Sequence, residues 1–242
     1  MTNVHRDIAA GITVDDVWRC LGPGERSRAA LAREVETATA EAVRLATPAA
    51  VSTSLGLVGA RRGSARFDND TVLEGRMLPH LLEGAEGAVF LIATAGQGIE
   101  ARVAELFAAA DTLEAFVLDA AGSATAMAVF SDVAARIAGE LAAAGQRIGP
   151  CLKPGTDAWT IEGQRPIFGV LPAAEIGVRL LDSLLMYPQK TQSGIIPYGR
   201  DLRIVDDPDS SPCARCSAAR CPMRREDYAG PLVESGSTLK RA

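Results

Sequence analysis

The chain has 242 residues, 48% of them hydrophobic and 23% charged, enough apolar material to build a real core, which excludes a disordered or fibrous protein. Thirty acidic against twenty-five basic residues leave a formal charge of −5, a balance with no counterion-releasing basic surface and therefore no nucleic-acid partner expected. The longest apolar runs, such as Gly87 to Gly96, fall short of the roughly 20 residues of a membrane span, and Met1 to Ala10 has no hydrophobic leader, so a cytoplasmic protein with no membrane partner is expected.

Thr13-Val-Asp-Asp opens a short helix with a capping signature, and Gly22-Pro-Gly24 separates it from a helix over Glu25 to Ala46. In that helix Leu31, Val35, Ala38, Ala42 and Leu45 share one face, and Pro48 closes it. Val51 to Val58 reads as a strand, Leu73 to Leu82 as a short helix, and Ala88-Val-Phe-Leu-Ile-Ala-Thr94 as a strand buried on both faces, expected at the centre of a sheet. Gly96-Gln-Gly98 turns the chain into a helix from Glu100 to Ala109. Ala115 to Leu118 reads as a short buried strand, and Asp119 as the N-cap of a long helix with the stripe Ala126, Phe130, Val133, Ile137 and Leu141. Gly145 to Trp159 is loop-like; a helix over Thr160 to Phe168, an edge strand over Val178 to Leu185 and a strand over Gly194 to Ile196 follow. There is no internal repeat, and strands mixed with helices without regular alternation predict an α+β fold.

The strongest chemical signal is Cys213-Ala-Arg-Cys216-Ser-Ala-Ala-Arg-Cys221-Pro222, whose short gaps let three thiolates converge on one ion or cluster. Both histidines, His5 and His80, lie far away in sequence. An iron–sulfur cluster therefore suits the run better than a closed Cys/His zinc site, with zinc as the alternative and free or reversibly oxidised cysteines as the plain reading. Arg215, Arg220, Arg224 and Arg225 would offset an anionic cluster, and Cys151, Cys20, water or a partner would supply the fourth ligand. Gly96-Gln-Gly98 lacks the third glycine and the acidic ribose ligand of a dinucleotide site and reads as a tight turn. His5 is expected in a frayed terminus and His80 has no placed partner, so no Ser/His/Asp arrangement can be assembled. Trp159 and Tyr187 either line a ligand pocket or fill core and rim.

Lys153-Pro-Gly-Thr-Asp-Ala-Trp159, Glu162-Gly-Gln164, Ile167-Phe168, Ile176-Gly-Val-Arg-Leu180, Met186-Tyr-Pro-Gln-Lys190 and Ser193-Gly-Ile-Ile196 together resemble the activation domain of cobalamin-dependent methionine synthase. The likeness is greatest to stand-alone members of that family, which end in a CxxCxxxxC motif, and it spans roughly Thr13 to Arg225. The resemblance implies a twisted, mostly antiparallel sheet flanked by helices over residues 1–205, with 206–228 as a cysteine-rich metal-binding segment and 229–242 as a flexible tail. It also implies a domain that binds S-adenosylmethionine and docks on a corrinoid-binding protein or corrinoid methyltransferase, whose oxidised cobalamin is re-methylated after one-electron reduction.

By that resemblance Cys151, Lys153, Gly155, Thr156, Trp159 and Met127 fall at the cofactor pocket. The family's Arg-x-x-x-Gly-Tyr loop lies on Cys151, Gly155 and Thr156, where only the glycine is kept, and its helical acid falls at Met127. Losing two charged contacts at about 1.5–3 kcal/mol each predicts that S-adenosylmethionine binds weakly or not at all. The leading expectation is an accessory protein for a corrinoid-dependent methyltransferase system, docking through Gly149–Trp159 and Met186–Gly194 with Trp159 and Lys190 at the contact. The alternatives are a metal-binding scaffold that kept the fold and a methyl-transfer enzyme with another small donor.

Overall fold

A computed structural model describes residues 2–9, 11–22, 25–156 and 159–203. The elements run β1 (Thr2–His5), α1 (Val14–Leu21), α2 (Glu25–Leu45), β2 (Ala49–Arg61), β3 (Ser64–Phe67), β4 (Val72–Glu74), α3 (Leu78–Leu81) and β5 (Gly87–Thr94). Then come α4 (Gly98–Ala108), α5 (Thr112–Ala143), β6 (Arg147–Ile148), α6 (Gln164–Val170), β7 (Arg179–Leu180), β8 (Met186–Tyr187) and β9 (Thr191–Gly199). The main sheet has the order β4-β3-β2-β5-β9-β6, with β1 beside β2, and every pairing is antiparallel. A register shift between Leu57 and Gly59 curls the long β2 so that it serves β5 along one stretch and β3 along the next. The α+β class and the curled antiparallel sheet flanked by helices are as the sequence predicts, with the fully buried β5 between β2 and β9.

Alternation along the strands divides the interior. Phe90 and Ile92 of β5 and Ile195 of β9 point into one core with Phe67, Leu78, Ile167 and Trp159. Val89, Leu91 and Ala93 with Ile196 point to the other face, where Val129, Phe130, Val133 and Ile137 of α5 cover them. The outer side of α5 packs in turn on α1, α2 and α4 through Val17, Trp18, Val35, Ala42, Ile99 and Ala121. Because α5 is enclosed on several sides, it is apolar nearly all round.

That enclosure corrects two readings. Ala115 to Leu118 is helix rather than strand, since α5 already begins at Thr112, and Asp119 lies inside the helix instead of capping it. The 32-residue α5 is the one described helix long and apolar enough to cross a membrane, but 61% of its most apolar window is buried inside the fold. Leu73 to Leu82 is divided: Val72–Glu74 pairs with β3 as a strand, and only Leu78–Leu81 is helical, after the Gly75 N–H donates to the Gly63 carbonyl. Val178 to Leu185 supplies just β7, paired with β8 in a separate ribbon, and Thr160 to Phe168 is a short 3-10 turn followed by α6. His5 is not frayed: β1 pairs along β2, and the His5 ring lies 2.8 Å from Ser52 Oγ. The predicted segments 206–228 and 229–242 lie outside the described residues.

Candidate functional site

The residues of interest gather where β9 begins, beside the middle of α5. Leu152 forms an isolated antiparallel bridge with Ile195, so 151–153 acts as a short strand beside β9. Its side chains alternate. Leu152 joins the core with Trp159, whereas Cys151 packs on the α5 face and the Lys153 ammonium sits 4.7 Å above the Phe130 ring. Lys153 also donates to Gln192 Oε1. Gly194 makes the approach possible, because a Cβ there would lie 2.8 Å from both Cys151 Sγ and Leu152 O.

Next to this contact is a cleft of about 300 Å³ between α1, α5 and β9, which Cys20, Ser123, Met127, Lys190 and Gln192 help to line. Lys190 crosses over Gly122, where a Cβ would lie 3.0 Å from the lysine Cε. Its ammonium reaches Asp119 Oδ1 at 2.7 Å and donates to Ser123 Oγ at 3.0 Å. Two to four turns further along α5, Ala134, Ala138, Ile148 and Cys151 line a shallower apolar groove of about 230 Å³. The α5 side of the sheet edge thus presents, in order, a polar cleft, a cation over an aromatic ring and an apolar groove.

Of the pocket residues suggested by the resemblance, Met127, Cys151 and Lys153 come to this side. Gly155 and Thr156 close a turn: Gly155 has φ +80°, its N–H donates to Trp159 O at 3.1 Å, and the Thr156 hydroxyl donates to Lys153 O at 2.8 Å. Trp159 does not line the cleft. It is 2% exposed in the opposite core, and its indole N–H is buried with no acceptor among the described residues. Lys190 is equally unsuited to a docking contact, being 7% exposed. The expected docking residues Trp159 and Lys190 are therefore interior groups, Trp159 packed in the core with Leu152 and Lys190 held by Asp119 beside the cleft. Tyr187 sits half-buried in the β7–β8 ribbon under the Arg179 guanidinium.

Burial pushes the Cys151 thiol up to about 11, against the pull of Lys153, and burial also raises Cys20 above its ordinary range. Both are protonated at neutral pH, so neither is a ready-made thiolate ligand. Cys213, Cys216 and Cys221 lie outside the described residues, and among the described residues no three His, Cys, Asp or Glu side chains gather as a metal site. Ser123 and Gln192 are not singled out by the sequence, and Cys20 and Lys190 stand there as a possible fourth metal ligand and a docking contact rather than as the lining of a cleft. The one available signal was the period-two series Lys190, Gln192, Gly194, Ile196, which puts two polar residues on a face otherwise apolar.

Neither a family model nor a curated relative matches the chain. Among solved structures, the chain is similar to the MetH reactivation domain bound to AdoHcy. The TM-score is 0.64 at 14% identity, over 84% of this chain and 79% of that one. The likeness shows the fold.

Proposed function

We propose that the chain is an accessory protein of a cobalamin-dependent methyl-transfer system, a reactivation-type domain that serves a separate corrinoid-binding protein in the cytoplasm. The supporting observation is the extent of the fold likeness to the MetH reactivation domain, which covers 84% of this chain and 79% of that one. In this reading the α5 side of the sheet edge meets the partner, and the cleft beside Met127 holds a small ligand while Lys153 and the bridge at Leu152 hold its rim in place.

S-adenosylmethionine is a poor ligand here. Met127, Cys151 and Thr156 offer neither an acid for its ammonium nor a guanidinium for its carboxylate, and the Thr156 hydroxyl is used within its own turn. Cys213, Cys216 and Cys221 with the four neighbouring arginines form a donor set suited to an anionic iron–sulfur cluster, whose chemistry is one-electron transfer. Anaerobically purified protein is then expected to contain iron and sulfide and to lose both in Cys213→Ser. Zinc alone would support the metal-binding scaffold instead.

The direct test is a titration of the full chain with a corrinoid protein in its oxidised and methylated forms. Tighter binding to the oxidised form, in the micromolar range of a transient interface, is the expected result. Equal or absent binding to both would overturn the reading.

A further inference from the structure

The Lys190 side chain is 8% exposed, yet its ammonium carries three N–H donors. Two are taken, by Asp119 Oδ1 at 2.7 Å and Ser123 Oγ at 3.0 Å. The third belongs to a group that lines the cleft. Gln192, also in the lining, has its Oε1 committed to Lys153, which fixes the sense of the amide and leaves the two Nε2 hydrogens as its donors to the cleft. Ser123 has both roles filled, since it accepts from Lys190 and donates to Asp119 O at 3.1 Å.

Among the described residues, no aspartate or glutamate lines this cleft, and Lys190 is the one formal charge in its wall. Asp119 is half exposed, so water screens its carboxylate more than the enclosed ammonium beside it. A ligand ammonium or sulfonium entering here meets a like charge and no acid. A phosphate dianion needs more enclosed donors than Lys190 and Gln192 hold out, and the remaining amide of the lining, Gln189, is exposed to solvent. A carboxylate matches them, because its two oxygens can take one charge-assisted bond from the lysine and one from the amide. Beside these donors Ala126 and Met127 supply an apolar, polarisable wall, and about 300 Å³ sets the scale at a small molecule.

We propose that the cleft binds a small ligand with a thioether or alkyl body ending in a carboxylate, which takes the third N–H of Lys190 and the Gln192 amide while the body lies against Ala126 and Met127. This deepens the reading above by naming the ligand class of its cleft. The probes are 4-(methylsulfanyl)butanoate and its neutral carboxamide, titrated into the full chain while the Met127 methyl resonance is followed by NMR. The acid is expected to shift that resonance saturably at millimolar concentration, and the amide to bind about tenfold more weakly. Lys190→Met should erase the difference. If that variant fails to fold, Gln192→Leu, at a half-buried position, should weaken the acid several-fold and spare the amide. Equal affinity for acid and amide, or no change at Met127 with either, would overturn the proposal. Such a failure with the corrinoid titration intact removes only the ligand class, and a failed corrinoid titration with acid binding intact removes only the reading above.

Discussion

On one side of the main sheet Phe67, Phe90, Ile92, Trp159 and Ile195 close into an apolar core, with Phe67 and Phe90 edge to face at 5.0 Å between ring centroids. On the other side α5 meets the sheet through Val129, Phe130, Val133 and Ile137, and beside this contact lie a buried lysine, two grooves and a cation over a ring. The first face has the large, well-defined side chains that fix strand register. The second adds two glycines, Gly122 and Gly194, whose missing side chains let Lys190 and 151–153 come close and leave room for polar groups. On the proposed function, stability and recognition are divided between the faces of one sheet, and β9 contributes to both through its alternating residues.

Substitutions on the two faces should therefore differ in kind. Phe90→Ala removes a fully buried ring and its aromatic partner contact and is expected to cost about 3–5 kcal/mol, read from the midpoint of urea denaturation. Gly194→Ala should cost less, about 1–3 kcal/mol, because the new methyl group collides with a backbone oxygen that cannot rotate away. Its distinguishing effect is local: displacement of 151–153 should draw Lys153 off Gln192, seen as NMR shift changes along β9 while the aromatic core keeps its signals. A loss confined to stability, with no change at Lys153, would weaken the division between faces.

The smallest effect is pH dependence at β1. Burial, assisted by Arg136 and opposed by Glu140, holds His5 below its ordinary value of 6.5. Below about pH 6.5 the unfolded chain thus binds more protons at this site than the folded one, so stability falls as pH drops from there toward the folded-state value. His5→Ala should flatten that part of the profile. A wild-type profile with the opposite slope, traced to His5, would contradict the placement of the ring beside Ser52.

Local signals survive the passage from sequence to structure, and signals that depend on distant neighbours do not. Thr13 and Asp16 exchange the bonds of a capping box as their spacing announces, and Val35, Ala38 and Ala42 bury the stripe they predict. The run Gly87 to Thr94 is buried at every position. Ala115 to Leu118 misleads because a helix covered on several sides is apolar in every short window, and such a window resembles a buried strand. The cleft was hidden for another reason: Lys190 finds Ser123 across 67 positions of chain, and nothing in either local sequence marks the partnership. Trp159 reads from its loop as either pocket or core, and the fold settles it by bridging Trp159 to Thr156 and packing its ring in the core with Leu152.

The central claim is that the α5 side of the sheet edge is the working face toward a corrinoid partner. Hydrogen exchange on the full chain, with and without a corrinoid protein in its oxidised form, tests it most directly. The account predicts added protection in 151–153, at the start of β9 and along the middle of α5, with none in β3, β4 or α6 on the opposite core. Protection centred on β3, β4 and α6, with 151–153 and β9 unchanged, would contradict it.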